Sequence, residues 1–393
     1  MKNFLINPLL VRQMREEMRS RKIFFLAPIF VGILSVVALV AIGDSSGSSF
    51  NPLAQAGASR LTLFASVITI TIVLGLIAVV FGASSFTTER EKATFELLEL
   101  TPLSRMDLVM GKFLHALAIT GLVLFSSLPI FSALFFMGGL TYSDLLLTLF
   151  YLIVFFSVVI LGTICISIIS NKTILSIILS LAAVFVISVV LGIVSMSASR
   201  EPSSLGFSVI SPWLVTYQQI FDPAPLRIAG RGLPMWPFYL LIYALLGLLF
   251  LTWARNALDT RKVERNAKAR IFGLLLVNSY LAIALLCLKS FGPITLSSII
   301  DFYNTLFYAV MATLVFFVLG GFTERDYERL TKHPLLELIH PKLLFLNNPM
   351  TGPAYLAILL ITLSLTLVAV SGLHWRLVFE YLVPFWIWII PWV

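Results

Sequence analysis

This chain of 393 residues has little charge: 12% of its residues are Asp, Glu, Lys or Arg, while 59% are hydrophobic. A soluble domain carries about 25% charged residues, so the composition excludes an ordinary soluble protein. Cysteine is also scarce. Cys165 and Cys287 both lie inside apolar runs, which excludes a disulfide framework. The alternating ten-residue segments that are typical of a membrane β-barrel are absent as well.

The chain also lacks a phosphate-binding loop. Gly111-Lys112 supplies the last two residues of the P-loop pattern, but Met106 stands where its first glycine belongs, and no strand precedes it. If ATP drives this protein, another polypeptide therefore binds the ATP and its Mg²⁺. We expect this chain to carry no cofactor and not to be an enzyme by itself.

Catalytic and metal-binding patterns are missing too. The spacing of His333, Glu337 and His340 would place them on one helix face, but prolines follow the first and the last, which is more typical of a loop. No Ser/His/Asp arrangement has a convincing context. We therefore predict no catalytic residues and no metal site.

What the sequence has instead is long apolar runs. A membrane-spanning helix needs about 20 apolar residues. Ten runs qualify: 23–42, 61–86, 111–138, 145–170, 174–197, 237–254, 271–288, 298–322, 353–372 and 377–393. The predicted fold class is all-α, a polytopic helical membrane protein with about ten transmembrane helices. The last run is short and could be re-entrant.

Basic residues indicate the orientation of these spans. With a cytoplasmic N-terminus, the cytoplasmic segments hold 21 of the 27 lysines and arginines, counting Lys112 at a boundary, and the outer segments hold six. The positive-inside rule supports this orientation. Topology thus explains the net charge of +8, and we expect no nucleic-acid partner. The cytoplasmic segments are 1–22, 87–110, 171–173, 255–270 and 323–352.

The N-terminal residues 7–22 have the pattern of an amphipathic helix. Asn7 can cap it and Pro8 suits its first position. Its apolar face would carry Leu10, Val11, Met14 and Met18, and its charged face Arg12, Arg15, Glu16 and Arg19. Such a helix lies in the membrane interface. From the residues alone, it could be a simple basic anchor.

The longest outer segment, 198–236, is rich in proline. Its apolar stretch 205–217 is too short to span a bilayer but apolar enough to enter it. Two interpretations remain open: a re-entrant segment, or an ordinary loop that buries Trp213.

A charged island, residues 87–105, separates the second and third apolar runs. Thr88 and Glu91 have the spacing of a capping box, which predicts a helix that starts at Thr88. Lys92 and Glu96 are four apart and can pair on its surface. Thr101-Pro102 then breaks this helix, because proline disfavours helical backbone in the residue before it. The island therefore predicts a short helix, an elbow and a second helix.

This island resembles the coupling-helix region of the permease subunits of type-2 ABC exporters. The matching positions are Glu89-Arg90-Glu91-Lys92, Thr94, Glu96, Thr101-Pro102-Leu103-Ser104-Arg105 and Gly111-Lys112, whereas Ala93 replaces the usual glycine. Asn7-Pro8-Leu9-Leu10-Val11-Arg12 also looks like the opening of these permeases. The resemblance covers about residues 1–254, which it marks as a six-span domain, leaving 255–393 as an additional four-span region.

The resemblance implies partners and a contact surface. It implies a separate ABC ATPase subunit, a second permease subunit, identical or not, and an N-terminal helix that cradles the coupling helix in the plasma membrane, the inner membrane of a bacterium. The residues expected to contact the ATPase are Glu89, Arg90, Glu91, Lys92, Thr94, Phe95, Glu96, Leu97, Leu98, Pro102 and Arg105. The charged ones would make surface contacts, Phe95, Leu97 and Leu98 would fill an apolar cleft, and Pro102 would set the bend.

The resemblance therefore favours an ATP-driven exporter of a lipid-like, peptide or glycan cargo. A non-transporting subunit that transmits ATPase motion to another membrane or periplasmic partner is an alternative. An ion-coupled secondary transporter is a third, but such proteins keep ionisable residues inside the membrane. Spans 23–42, 61–86, 145–170, 174–197 and 353–372 contain none.

Overall fold

The computed structural model describes residues 11, 13–15, 21–45, 52–95, 104–198, 212–221, 226–228, 231–233 and 236–258, with a few single positions between 272 and 282. Its helices are α1 (Arg21–Ser45), α2 (Pro52–Glu91), α3 (Arg105–Phe125), α4 (Leu128–Phe136), α5 (Tyr142–Ile169), α6 (Thr173–Ala198), α7 (Pro212–Phe221) and α8 (Trp236–Ala257). Two short strands, β1 (Leu226–Ile228) and β2 (Arg231–Leu233), lie between α7 and α8.

The predicted spans can be compared with these helices up to residue 258. Five helical stretches of the described chain are long and apolar enough to cross a membrane: Phe25–Gly43, Ser59–Glu91, Arg105–Phe136, Tyr142–Ile169 and Trp236–Ala257. They coincide with predicted spans one to four and six, and α6, a helix of 26 residues, coincides with the fifth. The prediction of a helical membrane protein is confirmed. The four later spans lie outside the described ranges, apart from those single positions.

The centre of the first compact unit is α2. This unit holds α1 to α5, α7 and α6 up to Ser188, whereas strands β1 and β2 and most of α8 belong to a second unit. Within the first unit α2 packs against α1, α3, α5 and α7. It buries Leu63, Val67, Ile70 and Leu74 completely, at the spacing of three and four that places side chains on one helix face.

Helices α2 and α5 approach each other closely at Gly82. A Cβ atom at this position would overlap the hydroxyl of Thr163 and would lie 3.3 Å from the carbonyl oxygen of Ile160. Small residues allow helix backbones to approach closely, and membrane helices pack by this means because they lack a hydrophobic driving force. Gly82 therefore fixes the distance between the second and fourth spans.

The third span is broken, although the sequence predicted one continuous run. Helix α3 ends at Phe125 and α4 begins at Leu128, with Pro129 in its first turn. The Ser126 hydroxyl donates to the carbonyl of Val123 at 2.6 Å, and the Ser127 hydroxyl donates to that of Leu124 at 2.6 Å. Pro129 has no N–H with which to donate to the carbonyl four residues earlier, that of Phe125, so the helical hydrogen-bond pattern is interrupted at this point.

The helix start predicted at Thr88 is wrong. Helix α2 runs without interruption from Pro52 to Glu91, so Thr88 lies in its last turns. The Thr88 hydroxyl donates to the carbonyl of Ser84 at 2.7 Å, a bond that threonine makes inside a helix. The spacing of a capping box is present, but both residues lie within α2. The hydrogen bonds of this helix already use the backbone N–H groups that a cap would bind.

The segment 198–236, which we predicted to lie on the outer side of the membrane, contains two short strands that the all-α prediction did not include. Strands β1 and β2 pair antiparallel, with Leu226 opposite Leu233. Before them, α7 has only ten residues, about 15 Å of helix. Its Phe221 ring meets that of Phe64 edge to face at 6.4 Å between centroids. Gln219 donates to an Asp144 carboxylate oxygen at 3.4 Å, so α7 is anchored on α2 and α5.

Of the predicted N-terminal helix, the structure describes four positions. Val11, Gln13, Met14 and Arg15 are helical, with Val11 and Arg15 exposed and Met14 half-buried. The remainder of residues 7–22, up to the start of α1, lies outside the described residues.

Candidate functional site at the end of the second span

Helix α2 ends in a Schellman motif. The N–H of Ala93 donates to the carbonyl of Arg90 at 3.0 Å, and the N–H of Thr94 donates to that of Glu89 at 2.9 Å. These two bonds define the motif, in which the residue just after the helix end has a left-handed backbone. Ala93 has φ of +53°, so it occupies that position. Glycine would adopt this backbone freely, whereas for alanine it costs roughly 1–2 kcal/mol.

After this turn the chain becomes helical again at Phe95, which is half-buried. The Phe95 ring meets the ring of Phe86 edge to face at 6.3 Å between centroids. On the other side, the Arg90 guanidinium lies 5.2 Å from the Phe95 centroid. Phe95 therefore packs on the last turns of α2. Sequence reasoning had assigned its side chain to a cleft in the partner.

Residues 96–103 lie outside the described part of the chain, and the next helix is α3. Ser104 caps it: the Asp107 N–H donates to the Ser104 hydroxyl oxygen at 3.1 Å, and the Ser104 hydroxyl donates to the Asp107 carboxylate at 2.6 Å. Arg105 is the first helical residue and is half-buried. A new helix after Pro102 agrees with the predicted order of elements, while the elbow itself is not described.

A buried lysine joins α3 to α2. The Lys112 side chain is 1% exposed, and its Nζ lies 2.6 Å from a carboxylate oxygen of Glu89, which is 20% exposed. The same Nζ donates to the carbonyl of Ser85 and lies 4.3 Å from the Phe86 ring centroid. Burying an ammonium group is tolerable only when it is paired and hydrogen-bonded. Lys112 has both kinds of partner, so it holds the two helices together.

The end of α5, the start of α6 and the turn between them contact the same end of α2. Ser167 accepts the backbone N–H groups of Phe86 and Thr87 at 3.0 and 3.3 Å, and Ser176 donates to the carbonyl of Ala83 at 3.0 Å. Nearer the helix end, Arg90 donates from Nη1 to the carbonyl of Ser170 at 3.1 Å.

Glu91 completes this attachment. One of its carboxylate oxygens accepts the N–H of Thr173, the first residue of α6, at 2.7 Å. A carboxylate at a helix N-terminus satisfies an otherwise unpaired N–H and interacts favourably with the helix dipole. Glu91 therefore acts as a cap for α6.

The predicted contact residues thus divide into three groups. Glu89, Arg90, Glu91 and Phe95 contact their own chain, whereas Lys92 and Thr94 are exposed at the turn and Arg105 is half-buried at the start of α3. Glu96, Leu97, Leu98 and Pro102 lie outside the described residues. Sequence reasoning missed the roles of Phe86, Lys112, Ser170 and Thr173. One signal was available: a lone lysine early in an apolar span, following a glutamate at the end of the preceding one.

Among the residues that the structure describes, no three His, Cys, Asp or Glu side chains are grouped to hold a metal ion. The site is a junction of helix ends, held by the ion pair of Lys112 and Glu89, aromatic contacts and hydrogen bonds.

The comparisons with known proteins identify the family. No curated protein matches the chain. The profile of a family described as ABC-2 family transporter protein matches residues 9–323. The match covers more than half of the chain and continues past residue 254, where the resemblance read from the sequence ended. Members of this family are generally membrane-spanning permease subunits of ABC transporters and associate with an ABC ATPase subunit. The chain belongs to the ABC-2 family of transporter proteins.

Proposed function

We propose that this chain is the permease subunit of an ATP-driven exporter, and that the segment 87–105 is its coupling element, docked on a separate ATPase subunit. The observation that carries the proposal is the junction at the end of α2. The chain leaves α2 where this helix is joined to α3 by Lys112 and to the α5–α6 turn by Glu91. A force applied to the segment that follows therefore acts on four helices together.

Within the coupling element we assign different roles to different residues. Leu97 and Leu98 fill an apolar cleft of the ATPase, and burial of each contributes about 1.5–3 kcal/mol. Lys92, Glu96 and Arg105 make charged contacts at its edge, and Thr94 lies beside them. Pro102 sets the bend between the two helical parts. ATP and Mg²⁺ are bound by the ATPase subunit.

The remaining parts of the proposal rest on composition and topology. Two permease subunits enclose the cargo path in the plasma membrane, with the N-terminus in the cytoplasm, as the distribution of basic residues favours. Apolar spans with few ionisable residues suit a lipid-like, peptide or glycan-lipid cargo better than a bare ion.

The proposal is tested by capture of the ATPase on the membrane-embedded chain. Leu98→Asp should weaken capture and abolish the stimulation of ATP hydrolysis that the membrane subunit causes. Asn171→Asp, which changes the charge of an exposed residue on the neighbouring α5–α6 turn, is the matched control and should leave both unchanged. Pro102→Ala should preserve capture better than stimulation, because it relaxes the bend without removing the contact surface.

Two results would contradict the proposal. The first is unchanged capture and stimulation with Leu98→Asp in a variant that reaches the membrane at wild-type levels. The second is direct, saturable ATP binding by the isolated chain.

A further inference from the structure

Phe95 occupies an unusual position for a residue in a docking segment. It lies just beyond the Schellman turn, yet its ring is in contact with the end of α2 on two sides, with Arg90 at 5.2 Å and Phe86 at 6.3 Å. Phe86 itself is fully buried and has the Lys112 ammonium at 4.3 Å from its ring centroid. The side chains of Arg90, Phe95, Phe86 and Lys112 thus form a continuous stack, which we name the cation–aromatic stack.

We propose that Phe95 is a positioning residue that joins the part of the coupling element beyond the Schellman turn to a rigid unit made of the ends of α2 and α3 and the α5–α6 turn. In the proposed exporter, the motion of the ATPase then enters the spans through the cation–aromatic stack. The path of the ATPase motion rests on the proposed function, whereas the existence of the rigid unit does not.

The contacts explain why the unit moves as one body. At one end of the stack, Lys112 of α3 is bonded to Glu89 of α2, so a displacement of α2 also moves α3. At the other end, Arg90 is bonded to Ser170 of the α5–α6 turn. Its neighbour Glu91 is bonded to Thr173, the first residue of α6. Because these contacts are short and the interior is close-packed, a shift of one member strains the others.

The Schellman turn limits the alternative path through the backbone. Ala93 and Thr94 are exposed. Within the described residues, local backbone bonds and the Thr94 hydroxyl, which donates to the Glu89 carbonyl at 3.2 Å, hold the turn to α2. Without the Phe95 ring, the segment after the turn would pivot at a single left-handed residue. The ring is therefore the side-chain contact beyond the turn that fixes the direction in which the described chain leaves α2.

The first test uses the full chain in lipid nanodiscs without any partner. Phe95→Ala should raise the rate of amide hydrogen exchange at Lys92–Thr94 and also at Thr173 by up to about tenfold. The reason is that loss of an aromatic pair changes the equilibrium constant of local opening by up to about tenfold. Phe95→Tyr retains the ring and should restore slow exchange at both places. Lys92→Ala, the exposed neighbour, is the control and should leave exchange at Thr173 unchanged.

This test can overturn the inference in two ways. If Phe95→Ala accelerates exchange only at Lys92–Thr94, the α5–α6 turn is not part of the same unit. If it accelerates exchange at neither place, the ring does not hold the segment.

The second test adds the ATPase that copurifies with the chain. Phe95→Ala should retain capture of the ATPase but lower the stimulated hydrolysis at least about fivefold, the lower end of ordinary coupling between sites, and Phe95→Tyr should rescue it. Loss of capture as severe as that of Leu98→Asp would make Phe95 a docking residue and overturn the inference. If the wild-type chain captures no ATPase, the proposed function fails, and the exchange measurement alone decides whether the rigid unit exists.

Discussion

The carboxylate of Glu91, the last residue of α2, accepts the backbone N–H of Thr173, the first residue of α6, at 2.7 Å. A side chain at the end of the second span thus supplies the cap of the fifth. The relationship links two helix ends that are separated by about eighty positions in the sequence. A substitution at Glu91 therefore alters a contact within this chain.

Charge reversal at Glu91 should therefore loosen the start of α6. Glu91→Lys removes the acceptor and places a positive charge at a helix N-terminus, where the dipole disfavours it. We expect faster amide exchange at Thr173 and a lower thermal midpoint, measured on the purified chain. Glu91→Gln keeps an acceptor and should show a smaller effect. Unchanged exchange at Thr173 in Glu91→Lys would show that the cap contributes nothing.

Ala93→Gly should stabilise the protein. The left-handed backbone at this residue costs alanine roughly 1–2 kcal/mol, whereas the greater unfolded-state entropy of glycine costs less than that, about 0.4–1 kcal/mol. The difference between the two terms gives an expected gain of up to about 1.6 kcal/mol, visible as a higher thermal midpoint. Ala93→Val is the opposing control and should lower the midpoint, because a β-branched residue tolerates positive φ poorly. A fall in the midpoint with glycine would contradict the Schellman geometry.

Removing the positive charge of Lys112 should destabilise the protein most when Glu89 keeps its negative charge. Lys112→Met retains length and apolar packing but leaves Glu89 without its buried partner, at a cost of about 3 kcal/mol. Adding Glu89→Gln should recover part of this loss. The measurement is a double-mutant cycle on reversible unfolding in detergent. Additive effects of the two substitutions would mean that the 2.6 Å contact carries no net interaction energy.

A methyl group at Gly82 should separate α2 from α5. Gly82→Ala creates an overlap with the Thr163 hydroxyl, and overpacking of this kind costs about 1–3 kcal/mol. Thr163→Ala removes the overlapping oxygen, so the double variant should be more stable than Gly82→Ala alone. Gly121→Ala is a matched control, because nothing lies within 4 Å of a Cβ there. Equal stability of the two alanine variants would contradict the close approach.

The orientation can be tested with a pair of introduced cysteines. In a background that lacks Cys165 and Cys287, Ser204→Cys should react with an impermeant thiol reagent from outside the cell, whereas Asn171→Cys should react only after permeabilisation. The motivation is the excess of lysines and arginines in the segments assigned to the cytoplasm. The reverse pattern of labelling would invert the topology.

Local composition predicted the membrane spans well and the junction between them only in part. A run of apolar residues determines a spanning helix almost by itself, which is why the first six runs coincide with helices of the described chain. The break at Ser126-Ser127 was missed because its residues are compatible with either a continuous or an interrupted helix. Pro129, the one signal present, is tolerated in membrane helices.

The junction could not be deduced in full because its contacts are long-range. The capping-box spacing at Thr88 is a local pattern, and tertiary packing decided instead that α2 continues. The pairing of Lys112 with Glu89 and the cap of Thr173 by Glu91 depend on how four helices are arranged. At position 93, the replacement of the family pattern's glycine by alanine led to no prediction about the backbone, which is left-handed there.

The interruption at Ser126-Ser127 has a mechanical consequence for the third span. Pro129 removes one backbone donor, and the serine hydroxyls occupy the carbonyls of Val123 and Leu124, so bending at this point breaks fewer hydrogen bonds than bending elsewhere in the helix. A change of the angle between α3 and α4 should therefore cost less free energy than a bend within either helix.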